Sequence, residues 1–367
     1  MKDIENNINK GDLTEYTIFN TYPDYAINSI LKDLESRNLI SLKKKDENST
    51  ALNVARICKP KEKLKCFLEN NSGFDLKSYI DNHEWNKGYR HSVLLKIEEF
   101  DLDTLNERIK SSESIKMIED KNDESEEKQL NFSNPLCKEN EDSFIFKFPI
   151  KKTAFDGNGN NIEVSYPIIV VIDKKNGVLE VRFDKIKTIF QGQNFYENII
   201  KSVIGWFVSI LDLSLAQLEL KPKIKRIIEK YNEDMENADV IPMKRNVALK
   251  NGSKVVLDID ANKEYVVPII GDLKFIMKNY EEELEGTPEL LNELNKLIKS
   301  VELGFVPKLS IFWKEKDILL GITHGYNETE YSLLHYYGEI ISSENMNYVR
   351  NYFGKIEEKS SGKGNSK

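Results

Sequence analysis

Apolar residues in the first part of the chain recur at helical spacing. After Pro23, the residues Ile27, Ile30, Leu31 and Leu34 fall at positions i, i+3, i+4 and i+7. This spacing places them on one face of an α-helix. The stretches LISLKKK, DENS and TALNVARI then follow, with the pattern of strand, turn and strand. The sequence therefore predicts a helix that ends at Asn38, followed by a β-hairpin that carries three lysines at its tip.

Groups of short strands separated by helices are predicted for the rest of the chain. The strands SFIFKFPI, NIEVSYPIIVVI and VLEVRF are joined by FDGNGN and DKKNG, whose Gly and Asn residues permit the positive φ of tight hairpins. The helices NFYENIIKSVIGWFVSIL and KPKIKRIIEKYNEDM come next. A second group consists of VIPMKRNVAL, SKVVLDID, EYVVPII and the helices GDLKFIMKNYEEEL and TPELLNELNKLIKSVEL. A third consists of PKLSIFW, DILLGITH, EYSLLHYYGEI and the helix SENMNYVRNYF.

This order predicts an α+β fold with antiparallel β-meanders that alternate with helix pairs, because parallel sheets need a helix after each strand. Two changes in composition predict the domain boundaries. Residues 111–135 are dense in charge and poor in apolar residues, and residues 354–367 are polar and rich in Gly and Ser. We therefore expect an N-terminal module at 1–110, an acidic flexible linker at 111–135, an α+β domain at 136–353 and a disordered tail at 354–367.

Composition and charge limit the possible partners. The chain has a net charge of −8, with 40% hydrophobic and 31% charged residues. Any contact with nucleic acid must therefore be local, and an anionic membrane is disfavoured. No apolar run is long enough to cross a bilayer, and the start lacks the apolar part of a signal peptide, so we expect a cytoplasmic protein. The excess of Lys over Arg, with many Asn and Ile residues, suggests an A+T-rich bacterial genome.

The helix and predicted hairpin carry the one family resemblance in the chain. The order helix, helix, basic hairpin across residues 10–60, and especially LKDLESRNLISLKKK, resembles a winged helix-turn-helix module. This resemblance implies contact with DNA through the second helix and the wing. The residues that would make this contact are Asn28, Lys32, Lys43, Lys44 and Lys45.

Two features of the same stretch depart from a DNA-binding module. Asp33 and Glu35 place negative charge on the helix that would face DNA. Residues 1–60 also contain nine basic and nine acidic side chains, whereas a nucleic-acid-binding domain is usually basic. Winged helices also serve as protein-binding modules, so both DNA and a protein remain possible partners.

One arrangement of acidic residues is a candidate for catalysis. Asp173, Glu180 and Arg182 in IDKKNGVLEVRF resemble the outline of a metal-dependent nuclease, in which two carboxylates hold the metal and a lysine orients water. Arginine replaces that lysine here, and arginine cannot be deprotonated. The sequence has no phosphate-binding loop, and its three cysteines and four histidines do not form a zinc or disulfide pattern, so we expect no metal or cofactor.

These patterns support three hypotheses. The first is a non-catalytic, nucleic-acid-associated or assembly subunit of a bacterial complex that contacts DNA through a lysine-tipped wing. The second is a protein-binding scaffold without nucleic-acid contact. The third is a divergent metal-dependent nuclease that uses Asp173 and Glu180.

Overall fold

The structure is a computed structural model, and it describes residues 10–43, 50–118, 132, 134–155, 159–234, 237–248, 254–258, 268–302, 305–325, 330–338 and 341–355. These residues form an α+β fold, as the sequence predicts. They divide into two compact units. Unit 1 contains the described residues up to Ala216 together with Gly338–Gly354, and unit 2 contains the described residues of Gln217–Tyr337.

Unit 1 begins with a helical lobe, which we call the N-terminal lobe (residues 10–86). Its elements are α1 (Lys10–Thr21), α2 (Asp24–Ser36), β1 (Ile40–Ser41), β2 (Leu52–Asn53), α3 (Pro60–Asn70) and α4 (Leu76–Asn86). The apolar stripe of α2 is buried, as its spacing predicts, and it packs against Leu64 and Phe67 of α3 in one hydrophobic core. The lobe therefore has a core of its own.

The end of α2 follows the sequence prediction, whereas the hairpin does not. Asn38 has a φ of 56°, and the amide of Leu39 donates to the carbonyl of Leu34, which closes the helix. Beyond this point β1 and β2 pair in parallel, with Ile40 opposite Leu52. The predicted antiparallel hairpin is therefore wrong. Two strands joined directly by a tight turn must run in opposite directions, and these two run in the same direction.

A mixed sheet forms the rest of unit 1. Its strands are β3 (His91–Ile97), β4 (Lys116–Met117), β5 (Leu136–Glu139), β6 (Ser143–Phe155), β7 (Asn161–Asp173) and β8 (Val178–Phe183), in the order β3-β8-β7-β6-β5-β4. Only β4 and β5 pair in parallel among these strands in the described residues. The helices of this part are α5 (Leu102–Ser111), α6 (Phe195–Leu211) and α11 (Ser343–Lys355). All six residues of β8 are buried, so any charge on this strand must be neutralised inside the protein.

The turn between β7 and β8 shows why DKKNG predicts a hairpin. Gly177 has a φ of 61°, which other residues adopt only with strain. The ring of Phe100 also lies so close that a Cβ at position 177 would sit 2.6 Å from its Cγ. Glycine is therefore required here for both the turn and the packing.

Unit 2 is built on five strands that pair in antiparallel fashion. Its strands are β10 (Val240–Ala248), β11 (Lys254–Asp258), β12 (Phe305–Trp313), β13 (Ile318–Thr323) and β14 (Leu333–Tyr337), in the order β11-β10-β12-β13-β14. Its helices are α7 (Leu220–Glu233), α8 (Pro268–Asn279), α9 (Glu281–Glu285) and α10 (Pro288–Glu302). The short strand β9 (Leu215–Gln217) lies where the chain passes from unit 1 to unit 2.

The units are bounded differently from the predicted domains. Strand β3 falls within the predicted module 1–110, yet it pairs with β8 of the predicted domain 136–353. Most of the predicted linker and tail, at 119–131, 133 and 356–367, lies outside the described residues. The predicted strand EYVVPII is wrong at its end, because Pro268–Ile270 begin helix α8. Proline is favoured at the first position of a helix, where its missing N–H is not needed.

Candidate functional site

The residues predicted to contact nucleic acid lie on α2 and just after β1. Lys32 and Lys43 are exposed, and Asn28 is half-buried. Lys44 and Lys45 lie outside the described residues. Two cations of the predicted contact are therefore on the surface of the N-terminal lobe.

The two acidic residues of α2 have structural partners. Asp33 accepts a hydrogen bond from the hydroxyl of Tyr79 at 2.7 Å and forms an ion pair with Arg37 at 2.9 Å. Glu35 accepts a hydrogen bond from the amide of Leu42 at 2.9 Å. These carboxylates therefore hold α2 to the next elements of the lobe.

The residues of the nuclease hypothesis form part of a buried ion network. Glu180 is 0% exposed and Arg182 is 2% exposed. Arg182 donates from Nε and Nη2 to Glu180 Oε2 at 2.9 and 2.6 Å. Arg350 of α11 lies near both carboxylates, with Nη1 3.6 Å from Glu180 Oε2 and Nε 3.7 Å from Asp173 Oδ2. We call Asp173, Glu180, Arg182 and Arg350 the arginine–carboxylate network.

Asp173 also closes the turn after β7. Its Oδ1 accepts hydrogen bonds from the amides of Lys175 and Asn176 at 2.8 and 3.0 Å, and its Oδ2 accepts one from the Asn176 side chain at 2.9 Å. Asn347 links the two arginines, since its Oδ1 accepts from both Arg182 and Arg350. Two carboxylates matched by two guanidinium groups in a buried site are suited to stabilising the fold, because a metal ion would have to displace the arginines.

A second set of buried charges joins the N-terminal lobe to the sheet. Glu84 of α4 and Lys147 of β6 are 4% and 5% exposed, and Lys147 Nζ lies 2.6 Å from Glu84 Oε2. The hydroxyl of Tyr22 donates to the other oxygen of Glu84 at 3.0 Å. Burial alone would lower the pKa of Lys147, but Glu84 and Asp81 raise it above its ordinary value. Lys147 therefore remains charged and holds α4 against β6.

Asp184, which directly follows β8, also connects the N-terminal lobe to the sheet. Its carboxylate accepts from Lys87 Nζ at 2.6 Å, from the Tyr25 hydroxyl at 2.8 Å and from the amide of Arg90 at 2.9 Å. Burial would raise the pKa of Asp184, but Lys87 and these hydrogen bonds hold it below the ordinary value. The guanidinium of Arg90 also lies 3.9 Å from the centre of the Tyr25 ring. The helical pattern places Tyr25 on the outward face of α2. In the structure Tyr25 contacts Arg90 and Asp184, which flank strands β3 and β8.

A small cavity lies beside this contact. It has a volume of about 30 Å³ and is lined by polar groups of Tyr22, Lys87, Ser165 and Asp184, among others. This volume has room for about one water molecule. The cavity is therefore too small for an organic substrate.

The histidines and cysteines do not gather into a reactive site within the described residues. His324 Nδ1 lies 2.8 Å from Ser332 Oγ, but both side chains are buried, and burial lowers the pKa of His324 to about 4. The ring of His335 stacks on Tyr337. Burial also raises the pKa of the Cys137 thiol to about 12, which leaves it protonated. No group of three or more His, Cys, Asp or Glu residues in the described part of the chain could hold a metal ion.

Several exposed apolar side chains of unit 2 lie on the stretch α8–α10, which we call the helical segment (Pro268–Glu302). Five of its large apolar side chains are at least half exposed: Phe275 65%, Ile276 52%, Tyr280 56%, Leu290 52% and Leu297 52%. Leu273, Ile276 and Met277 of α8, with Tyr280 directly after it, are spaced at i, i+3, i+4 and i+7. Both α8 and α10 therefore carry apolar side chains that remain exposed among the residues that the structure describes.

The sequence did not reveal the partners in the buried networks. Lys87 and Asp184 are 97 positions apart, and Arg182 and Asn347 are 165 positions apart. No local spacing connects such residues. The apolar residues of α8 and α10, in contrast, lie at helical spacing in the sequence, but this spacing does not separate exposed side chains from buried ones.

The comparisons with known proteins do not supply a relative. The chain matches no known protein family, and no curated protein matches it. Within the described residues, no helix has the length and apolar character needed to cross a bilayer.

Proposed function

We propose that this protein is an assembly subunit that binds a protein partner through the helical segment of unit 2. The observation that carries this proposal is the exposure of Phe275, Ile276, Tyr280, Leu290 and Leu297. Single exposed apolar residues are normal on protein surfaces, whereas stripes of them mark sites of interaction. Covering such side chains contributes about 25 cal/mol for each Å² of apolar surface removed from water.

The buried charges support a binding role over the nuclease hypothesis. Asp173 and Glu180 are 3% and 0% exposed and are matched by Arg182 and Arg350. A nuclease needs its carboxylates open to a metal ion and a phosphodiester. The helical segment is open to solvent, and it can bind a partner without any rearrangement of the core.

Loss of the exposed apolar side chains is expected to abolish partner binding. We expect the tagged full-length protein, purified from cells of its source, to bring down a specific protein. The variant Ile276→Ser/Leu290→Ser/Leu297→Ser should retain less than a tenth of that protein, as measured by quantitative mass spectrometry. The matched control is Ile189→Ser, which removes an apolar side chain that is 56% exposed in unit 1. A triple variant that keeps its partner would contradict the proposal.

A second candidate function is contact with nucleic acid through the N-terminal lobe. Lys32, Lys43 and Arg56 are exposed, and none of them has an acidic partner among the residues that the structure describes. Exposed cations of this kind can neutralise phosphates, and the contact then weakens as salt rises. Strands β1 and β2 pair in parallel, so this candidate does not rest on an antiparallel wing.

The three consecutive lysines at positions 43–45 give a direct test of this second candidate. We expect Lys43→Glu/Lys44→Glu/Lys45→Glu to abolish a salt-sensitive shift of a DNA duplex in gel electrophoresis, because reversed charges repel the phosphates. The control variant Lys110→Glu/Lys187→Glu/Lys201→Glu changes the net charge equally at other exposed positions and should bind as the parent does. A parent protein that gives no shift at moderate salt would rule this candidate out.

A further inference from the structure

The charges around the helical segment favour one class of partner. Residues 273–298 contain six glutamates and three lysines, so this surface is net acidic. All six glutamates are exposed, and four of them fall within five positions: Glu281, Glu282, Glu283 and Glu285. This acidic stretch lies between two helices that carry exposed apolar side chains, and it attracts a cationic partner and repels an acidic one.

The arrangement of the apolar side chains indicates which secondary structure the partner should have. Helix α10 places Leu290, Leu294 and Leu297 at i, i+4 and i+7, and two of these remain half exposed. Ile276 of α8 and Tyr280, which directly follows α8, are also four positions apart and exposed. Apolar stripes on helices are covered best by another helix, whose side chains pack between their ridges.

We propose that the helical segment binds an amphipathic helix whose polar positions are mainly lysine and arginine. This inference rests on the proposed function, and it specifies the chemistry of the partner. Apolar side chains of the incoming helix would cover Ile276, Leu290 and Leu297, and its cations would lie against Glu281–Glu285. A second copy of this chain does not fit this description, because the two acidic surfaces would face each other.

Designed peptides can test the proposal without knowledge of the natural partner. We expect an 18-residue amphipathic peptide with leucine on one face and lysine on the other to bind the full-length protein in fluorescence anisotropy. The same peptide with glutamate in place of lysine should bind at least tenfold more weakly. A peptide with the lysine composition but scrambled leucines should also bind at least tenfold more weakly, because it has no apolar face.

Two protein variants separate the apolar and charged contributions. Glu281→Gln/Glu282→Gln/Glu283→Gln/Glu285→Gln should weaken binding of the lysine peptide about tenfold and remove most of its dependence on salt. The control Glu69→Gln/Glu107→Gln/Glu113→Gln/Glu141→Gln makes the same change of charge at exposed positions of unit 1 and should leave binding unchanged. Leu290→Ser/Leu297→Ser should weaken binding of the lysine and glutamate peptides, which both carry the leucine face.

The outcomes distinguish this inference from the proposed function. Equal binding of the lysine and glutamate peptides, or an equal loss in the two fourfold variants, would overturn the basic-helix inference. Self-association that depends on Leu290 and Leu297 in analytical ultracentrifugation would also overturn it, since the occupant would then be a second copy. In each of these cases the proposed function would still stand if the serine variant loses its protein partner.

Discussion

Replacement of Arg182 by methionine should lower the free energy of unfolding by about 3–5 kcal/mol, because it leaves a buried carboxylate without its partner. Arg182 supplies both short hydrogen bonds to Glu180 Oε2, at 2.9 and 2.6 Å. Methionine fills similar space but carries no charge. Arg350, whose Nη1 is 3.6 Å from the same oxygen, can offset only part of the loss. Urea titration followed by circular dichroism measures this change.

An exposed ion pair provides the control for this measurement. Arg37 lies 2.9 Å from Asp33, but the two side chains are 55% and 32% exposed. Solvent screens such a pair, so Arg37→Met should cost less than about 1 kcal/mol. Equal losses in Arg182→Met and Arg37→Met would show that the arginine–carboxylate network does not stabilise the fold in the way that its burial implies.

The contact between Lys147 and Glu84 should show strong coupling when both residues are replaced. Lys147→Met and Glu84→Leu should each cost about 3–5 kcal/mol, because each removes the charged partner that lies 2.6 Å from a buried charge. The double variant should cost much less than the sum, since it leaves neither charge behind. Unfolding free energies of the four proteins give the coupling. Hydrogen exchange should also show loss of protection at the amides of α4 in the single variants.

The exposed pair Lys151–Glu163 is the control, because Lys151 lies on the same strand β6 as Lys147. Its distance is 2.9 Å, and its side chains are 63% and 36% exposed. We expect Lys151→Met, Glu163→Leu and their combination to have small and nearly additive effects. Additive costs at Lys147 and Glu84 as well would contradict a specific bond between the lobe and the sheet.

Local patterns in the sequence predicted the elements that local forces determine. The stripe of α2, its end at Asn38 and the β7–β8 hairpin at Gly177 follow from spacing and turn chemistry. The direction of β2 could not be predicted in this way, because a strand of two residues carries almost no pairing information. The start of α8 at Pro268 was missed because a short apolar run fits a strand and a helix equally well.

The candidate sites differ in how far the sequence could reveal them. The apolar residues of α8 and α10 follow one another at helical spacing, so the sequence reveals an apolar face, but only the structure shows that part of it is exposed. The arrangement around Glu180 depends on Arg350, which is 170 positions away, and no local pattern connects the two. The sequence shows Asp173, Glu180 and Arg182 as a group of three, and a group of three suggests a reactive site. The fourth member changes that interpretation, because it balances the charge.

The placement of α11 has a consequence for the order of synthesis. Unit 1 consists of two stretches of chain, and the whole of Gln217–Tyr337 lies between them. A growing chain therefore exposes Asp173 and Glu180 long before the ribosome has added Arg350. The N-terminal lobe has its own core and can fold early. The carboxylates of the sheet, in contrast, lack Arg350 until α11 has been synthesised. Unit 1 can therefore be completed only after Gln217–Tyr337 of unit 2 has been synthesised.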